Sequence, residues 1–175
     1  NSLNAIQNFV LANDTDRAVN YLAKFSHLMR MILANSTAAL ITLKDELKSL
    51  TYYIDLEKLR FDDKFDYVIN RDPSIDEEFI EIPPMLFQPY VENAIIHGLA
   101  PKKEKGLLQI RFEKKDQQLV CTVTDNGIGR SASQKTHKEY ISKATEITTE
   151  RIELLATNDT ESAISILDLS DANGQ

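Results

Sequence analysis

Cysteine is nearly absent from this sequence. Cys121 is the single one, which excludes an intrachain disulfide and a cysteine-rich zinc site and fits a reducing cytoplasm. Tryptophan is missing, and glycine and proline number five each among 175 residues, so nothing reads as collagen-like, low-complexity or natively disordered. No apolar run approaches the roughly 20 residues needed to cross a bilayer, and the first residues lack a signal-peptide pattern. Any membrane anchor is therefore expected outside this stretch, with the stretch itself cytoplasmic. Positive charge is also short. The formal net charge of -7 argues against a long phosphate-backbone interface, and so against direct nucleic-acid binding. The one basic cluster, Lys102, Lys103 and Lys105, sits among Pro101, Glu104 and Gly106. It reads first as a solvated turn and second as a local contact to a nucleotide's phosphates.

Two periodicities divide the chain. Up to residue 61 glycine is absent and the pattern is helical, which predicts a helical dimerisation and linker segment over 1–61. A first helix over 2–12 would place Leu3, Ile6 and Val10 on one face, and a second would carry Ala18, Leu22, Phe25, Met29 and Ile32 at steps of four and three. A third helix is expected from Thr42, with Asp45 and Glu46 in its first turn and Leu43, Leu47, Leu50 and Ile54 turned inward. About 60 residues of helix without a second layer bury little alone, so this half is expected to form a homodimer.

Beyond Phe61 the period becomes two. Phe65, Tyr67 and Ile69 predict a strand, Ile80 and Ile82 another before Pro83 and Pro84. A helix over about 85–97 follows, stopped by Gly98, with Pro89 in its first turn or at a kink. Leu108, Ile110 and Phe112, then Leu119, Cys121 and Val123, predict a β-hairpin turning at 115–118. After a polar stretch at 130–139, a helix over 140–156 and a last strand with Ile164, Ile166 and Leu169 are expected. The fold class is therefore α+β, with 62–175 as a second domain.

Asp125 is the informative carboxylate. Alternation along β-structure places it on the same face as Leu119, Cys121 and Val123, hence toward the interior, where it needs a donor. An exocyclic amine such as that of adenine suits an acceptor-only group. Gly127 and Gly129 follow at once and let backbone approach a flat ligand without interference from Cβ. Asn126-Gly127 is also a common hairpin-turn pair, so a plain tight turn is the competing reading. On the preceding helix Glu92, Asn93 and His97 lie together, with Asn93 and His97 four apart on one face. An Asn carbonyl can help hold Mg²⁺ while phosphate oxygens and waters fill its other positions. His27, alone on its helix, reads as a surface histidine, His97 as a helix-end cation or a neighbour of phosphates, and Cys121 as a small core residue.

Gln88-Pro-Tyr-Val-Glu-Asn-Ala-Ile-Ile-His-Gly98 resembles the asparagine box, and Asp125 to Gly129 the first glycine box, of the GHKL ATPases, in particular the LytS/YehU-type sensor histidine kinases. Asn1-Ser-Leu-Asn-Ala-Ile6 is similar to the residues after the phosphoacceptor histidine of that family, and Leu43 to Phe61 to its linker helix. The resemblance implies a GHKL (Bergerat) α/β sandwich with a mixed, mostly antiparallel sheet. It also implies ATP and Mg²⁺ as cofactors, with Asn93 as metal ligand and Asp125 as acceptor for the adenine amino group. Gly127 and Gly129 would form the base of a lid, and Glu92 and His97 would line the phosphate side. The implied activity is that of an ATP-dependent protein-histidine kinase in a two-component system, phosphorylating a histidine upstream of Asn1 for transfer to a response regulator, of LytTR type by family. Two other functions compete: a nucleotide-gated dimeric interaction module without kinase activity, and a different GHKL protein kinase. Ile96 stands where many relatives carry Lys, and 135–150 contains no glycine of a second box.

Overall fold

The computed structural model describes residues 2–116 and 118–129. The expected lid, the helix over 140–156, the strand with Ile164, Ile166 and Leu169, and Asn1 lie outside the described residues.

Helices α1 (Ser2–Leu11) and α2 (Thr15–Asn35) form a hairpin. Asn13 turns it with φ 56°, and Asp14 caps α2 by accepting from the Arg17 N–H at 3.1 Å. Helix α3 (Leu43–Arg60) starts where its cap predicts, Thr42 accepting from the Asp45 N–H at 3.1 Å. Its expected inward residues Leu43, Leu47, Leu50 and Ile54 are all buried. Lys24 of α2 pairs with Asp55 of α3 at 3.3 Å.

The faces of α1 and α2 differ from expectation. Ala5 and Phe9 are the buried residues of α1, whereas Leu3 and Val10 are 74% and 59% exposed. On α2 the buried set is Ala18, Tyr21 and Leu28, and Leu22 and Met29 are exposed. Both helices carry two apolar stripes, and the aromatics choose between them. Phe9 packs on Tyr21 with ring centroids 5.8 Å apart, and the Arg17 guanidinium lies 4.6 Å above Phe9, so the larger contact area takes the inner face. His27 is half-buried against Tyr52, ring centroids 4.5 Å apart, and is not the solvated surface residue expected.

Strand β1 (Ile41–Thr42) pairs antiparallel with β3 (Glu81–Ile82) beside the start of α3. The main sheet has the order β2-β4-β5. Strand β2 (Phe65–Arg71) runs parallel to β4 (Gly106–Lys115), and β4 turns back antiparallel into β5 (Gln118–Asp125). The predicted hairpin and first strand are thus present, and the described sheet is mixed, with one parallel and one antiparallel pairing. A parallel pair needs a crossover, and here it runs through α4 (Gln88–Asn93).

Phe65, Leu108, Ile110 and Phe112 are fully buried and join the inner faces of α1, α2 and α3 in one hydrophobic cluster. Phe87 meets Phe112 edge-on at 5.1 Å, which seats the start of α4 on the sheet. The fold is therefore α+β, and no described helix is long and apolar enough to cross a membrane.

Candidate functional site

The expected helix over 85–97 is two pieces. Helix α4 holds Pro89 in its first turn, where a missing N–H costs nothing. At Asn93 it widens into a π-helical segment, Ala94–Leu99, in which the Ala100 N–H reaches the Ile95 carbonyl at 2.8 Å. Such segments are rare and cluster at functional sites. Val91, Ala94, Ile95 and Leu99 are buried on the core side, and Glu92, Asn93, His97 and Gly98 are half-buried. Gly98 does not stop the helix. It lies inside the segment, and a Cβ there would come 2.4 Å from Oδ1 of Asp125.

That contact joins the two halves of the site. The carboxylate of Asp125 accepts from the Gly127 N–H at 2.8 Å. The Ile128 N–H donates to the Gly98 carbonyl at 3.0 Å. A Cβ on Gly127 would meet the Gly98 backbone at 2.3 to 2.4 Å, so this glycine serves close approach of two backbone segments. Gly129 has φ +75° with open space around it, and backbone conformation explains glycine there. Asn126 accepts from the Leu107 N–H at 2.8 Å, and the Lys102 ammonium donates to the Asn126 carbonyl at 2.7 Å. Lys105 pairs with Asp66 at 2.7 Å. Lys102 and Lys105 of the basic cluster thus tie their turn to the segment after β5 and to β2.

Asp125 is less enclosed than strand alternation suggested. It opposes the fully buried Leu108 across the ladder, but as the last residue of β5 it is exposed overall. Its carboxyl is still raised from its ordinary value, chiefly by partial burial, with the Gly127 N–H and Lys102 opposing the rise. Asp125 thus sits at an open edge, walled on the side of the π-helical segment.

Asn93 contributes a buried carbonyl oxygen, Oδ1, with no hydrogen-bond partner among the described residues, and the Tyr90 hydroxyl is in the same condition. Orphaned buried polar atoms are costly and ask for a reason. Burial raises the Glu92 carboxyl, opposed by Arg60. Arg60 grips buried Glu57 with both nitrogens, at 3.1 and 2.9 Å. Burial lifts Glu57 to about 7, Arg60 holding it down and Glu92 pushing it further up. Among the described residues no group of three His, Cys, Asp or Glu side chains could hold a metal ion. Any cation at Asn93 would therefore have to bring oxygen ligands with it, as Mg²⁺ does on phosphates. Cys121, expected as a small core residue, packs against the core with its thiol pushed by burial to about 12.

Sequence reasoning missed Tyr90, Arg60 and Glu57. Tyr90 stands three residues before Asn93, which was a usable signal. Nothing in the sequence pattern ties Glu57 to Glu92.

Residues 1–65 match the histidine kinase family. The sensor protein LytS of Oceanobacillus iheyensis is 36% identical over 120 residues, which cover 69% of this chain and 20% of that protein. The sensor histidine kinase YpdA of Escherichia coli is 35% identical over 130 residues, covering 74% of this chain and 22% of that protein. Over these stretches the chain is similar to LytS and YpdA sensor proteins. A putative uncharacterized protein, YwpD of Bacillus subtilis, is 31% identical over 118 residues, covering 66% of this chain and 41% of its own length. The chain thus spans about a fifth of the length of the LytS and YpdA sensors it matches. The histidine kinase match falls on α1, α2 and α3, the elements that pack behind the site.

Proposed function

We propose that this chain is the nucleotide-binding portion, with its adjoining helices, of a cytoplasmic two-component sensor histidine kinase, and that it binds ATP with Mg²⁺ between α4 and the Asp125 turn. The observation that carries the reading is the orphaned, buried Oδ1 of Asn93 on an element joined to the Asp125 turn by the bond from the Ile128 N–H to the Gly98 carbonyl. In this reading Asn93 ligates the metal and Asp125 accepts from the adenine amino group. Glu92 and His97 face the phosphates, and Gly127 and Gly129 form the flexible base of the far wall. The nucleotide supplies the phosphoryl group, and the metal neutralises charge on its oxygens.

The family resemblance supplies the rest: a GHKL sandwich, division near residue 61, phosphorylation of a histidine upstream of Asn1, and a response regulator receiver, of LytTR type, as acceptor. The exposed apolar residues Val19, Leu22, Met29 and Leu33 of α2 favour a homodimer through the N-terminal helices. Calorimetric titration with ADP and Mg²⁺ tests the nucleotide reading. The parent should bind and Asn93→Ala should lose the magnesium-dependent part of the affinity; absence of binding by the parent, or identical behaviour of the two proteins, overturns it.

A further inference from the structure

Glu46 lies in the first turn of α3 and is 2% exposed. Its carboxylate reaches across to the turn that leads into α4, accepting from the Met85 N–H at 2.8 Å and the Phe87 N–H at 3.3 Å. That turn needs holding. Met85 has φ 60°, a left-handed conformation that long side chains rarely adopt and that persists only when the surroundings impose it. Phe87, at the cap position of α4, has no side chain that can cap the helix. A local Ser or Asp would cap the start of the helix at lower cost than a buried charge brought in from another helix.

The same carboxylate borders a cavity of about 150 Å³ lined also by Ile32 and Asn35 of α2, Ser49 of α3, and Pro84 and Met85 of the turn. Protein interiors are otherwise close-packed. Here the end of α2 and the turn face each other across open space, and Glu46 supplies a hydrogen-bonded link between the helical half and the start of α4.

We propose that Glu46 is a positioning residue: it fixes the start of α4, and through it the placement of Asn93, according to how α2 and α3 are seated. The magnesium-dependent affinity of the site is thereby set by the helical half. This deepens the nucleotide reading above and rests on it. Coupling is reciprocal, so nucleotide bound with metal must in turn tighten the Met85 and Phe87 amides onto Glu46.

Two measurements on the whole chain test it. In calorimetry, Glu46→Gln should bind Mg-ADP on the order of tenfold more weakly than the parent, while its weaker binding of ADP in EDTA stays unchanged, because the Asp125 turn is held by Gly98 and not by Glu46. In hydrogen exchange of the unaltered parent, the Met85 and Phe87 amides should gain protection with Mg-ADP and not with ADP in EDTA. The exchange measurement decides the matter even if the variant fails to fold. A folded Glu46→Gln that binds Mg-ADP as the parent does, or parent amides indifferent to Mg-ADP, overturns the positioning role. A parent that binds no nucleotide removes the underlying reading and this proposal with it.

Discussion

Gly98 and Asp125 touch so closely that any side chain on the glycine would displace the carboxylate, Cβ to Oδ1 being 2.4 Å. This contact makes one unit of two sequence motifs that lie on different elements. It also ranks the glycines of the site by the physical reason each is there.

Gly127→Ala should be the most damaging of the three alanine substitutions, because its Cβ would meet backbone of Gly98 at 2.3 Å and backbone cannot swing aside. Gly98→Ala should cost about 1–3 kcal/mol as the Asp125 side chain shifts. Gly129→Ala should cost about 1 kcal/mol from its positive φ alone. Urea unfolding of the three variants checks the order, and equal losses would contradict it.

Stability should fall as pH rises from about 4.5 to about 7. Glu57 has a folded-state pKa near 7 against 4.5 for the free group, so in that window the folded chain holds a proton that the unfolded chain has released. The stabilisation is complete below the unfolded value and lost as pH passes the folded one. Glu57→Gln, which resembles the protonated group, should flatten this slope in denaturant titrations taken across the window. An unchanged slope would mean that Arg60 keeps Glu57 ionised throughout.

The outer stripe of α2 should carry self-association. Val19, Leu22, Met29 and Leu33 are exposed and lie at steps of three, seven and four, the spacing of one helical seam. Leu22→Glu with Leu33→Glu should shift sedimentation from dimer toward monomer at equal concentration without loss of helical circular dichroism. A parent that is monomeric at all concentrations would contradict the dimer.

How much of this was legible in the sequence differs by element. Helix α3 was readable down to its cap and its inward residues because Leu43, Leu47, Leu50 and Ile54 keep one helical period behind a side-chain cap. Helices α1 and α2 each have two apolar stripes, and periodicity cannot say which one meets the chain itself; the Phe9 and Tyr21 pairing decides that in three dimensions. The two-residue strand β1 is too short to leave a pattern, whereas Ile80 and Ile82 before the two prolines marked the position of β3. The π-helical widening after Asn93 has no sequence period of its own, so Gly98 read as a helix stop when it is a contact point. The orphaned Asn93 oxygen confirms nothing by spacing; it is a property of packing. Glu46 was recognised only as an acidic residue in a first turn, since its two backbone partners lie 39 and 41 residues away.

The most direct measurement is the structure of this chain with ADP and Mg²⁺. The metal should lie about 2.0–2.1 Å from Oδ1 of Asn93 and the adenine amino group within hydrogen-bond distance of Asp125. A nucleotide seated elsewhere, or a metal whose ligands exclude Asn93, would contradict it.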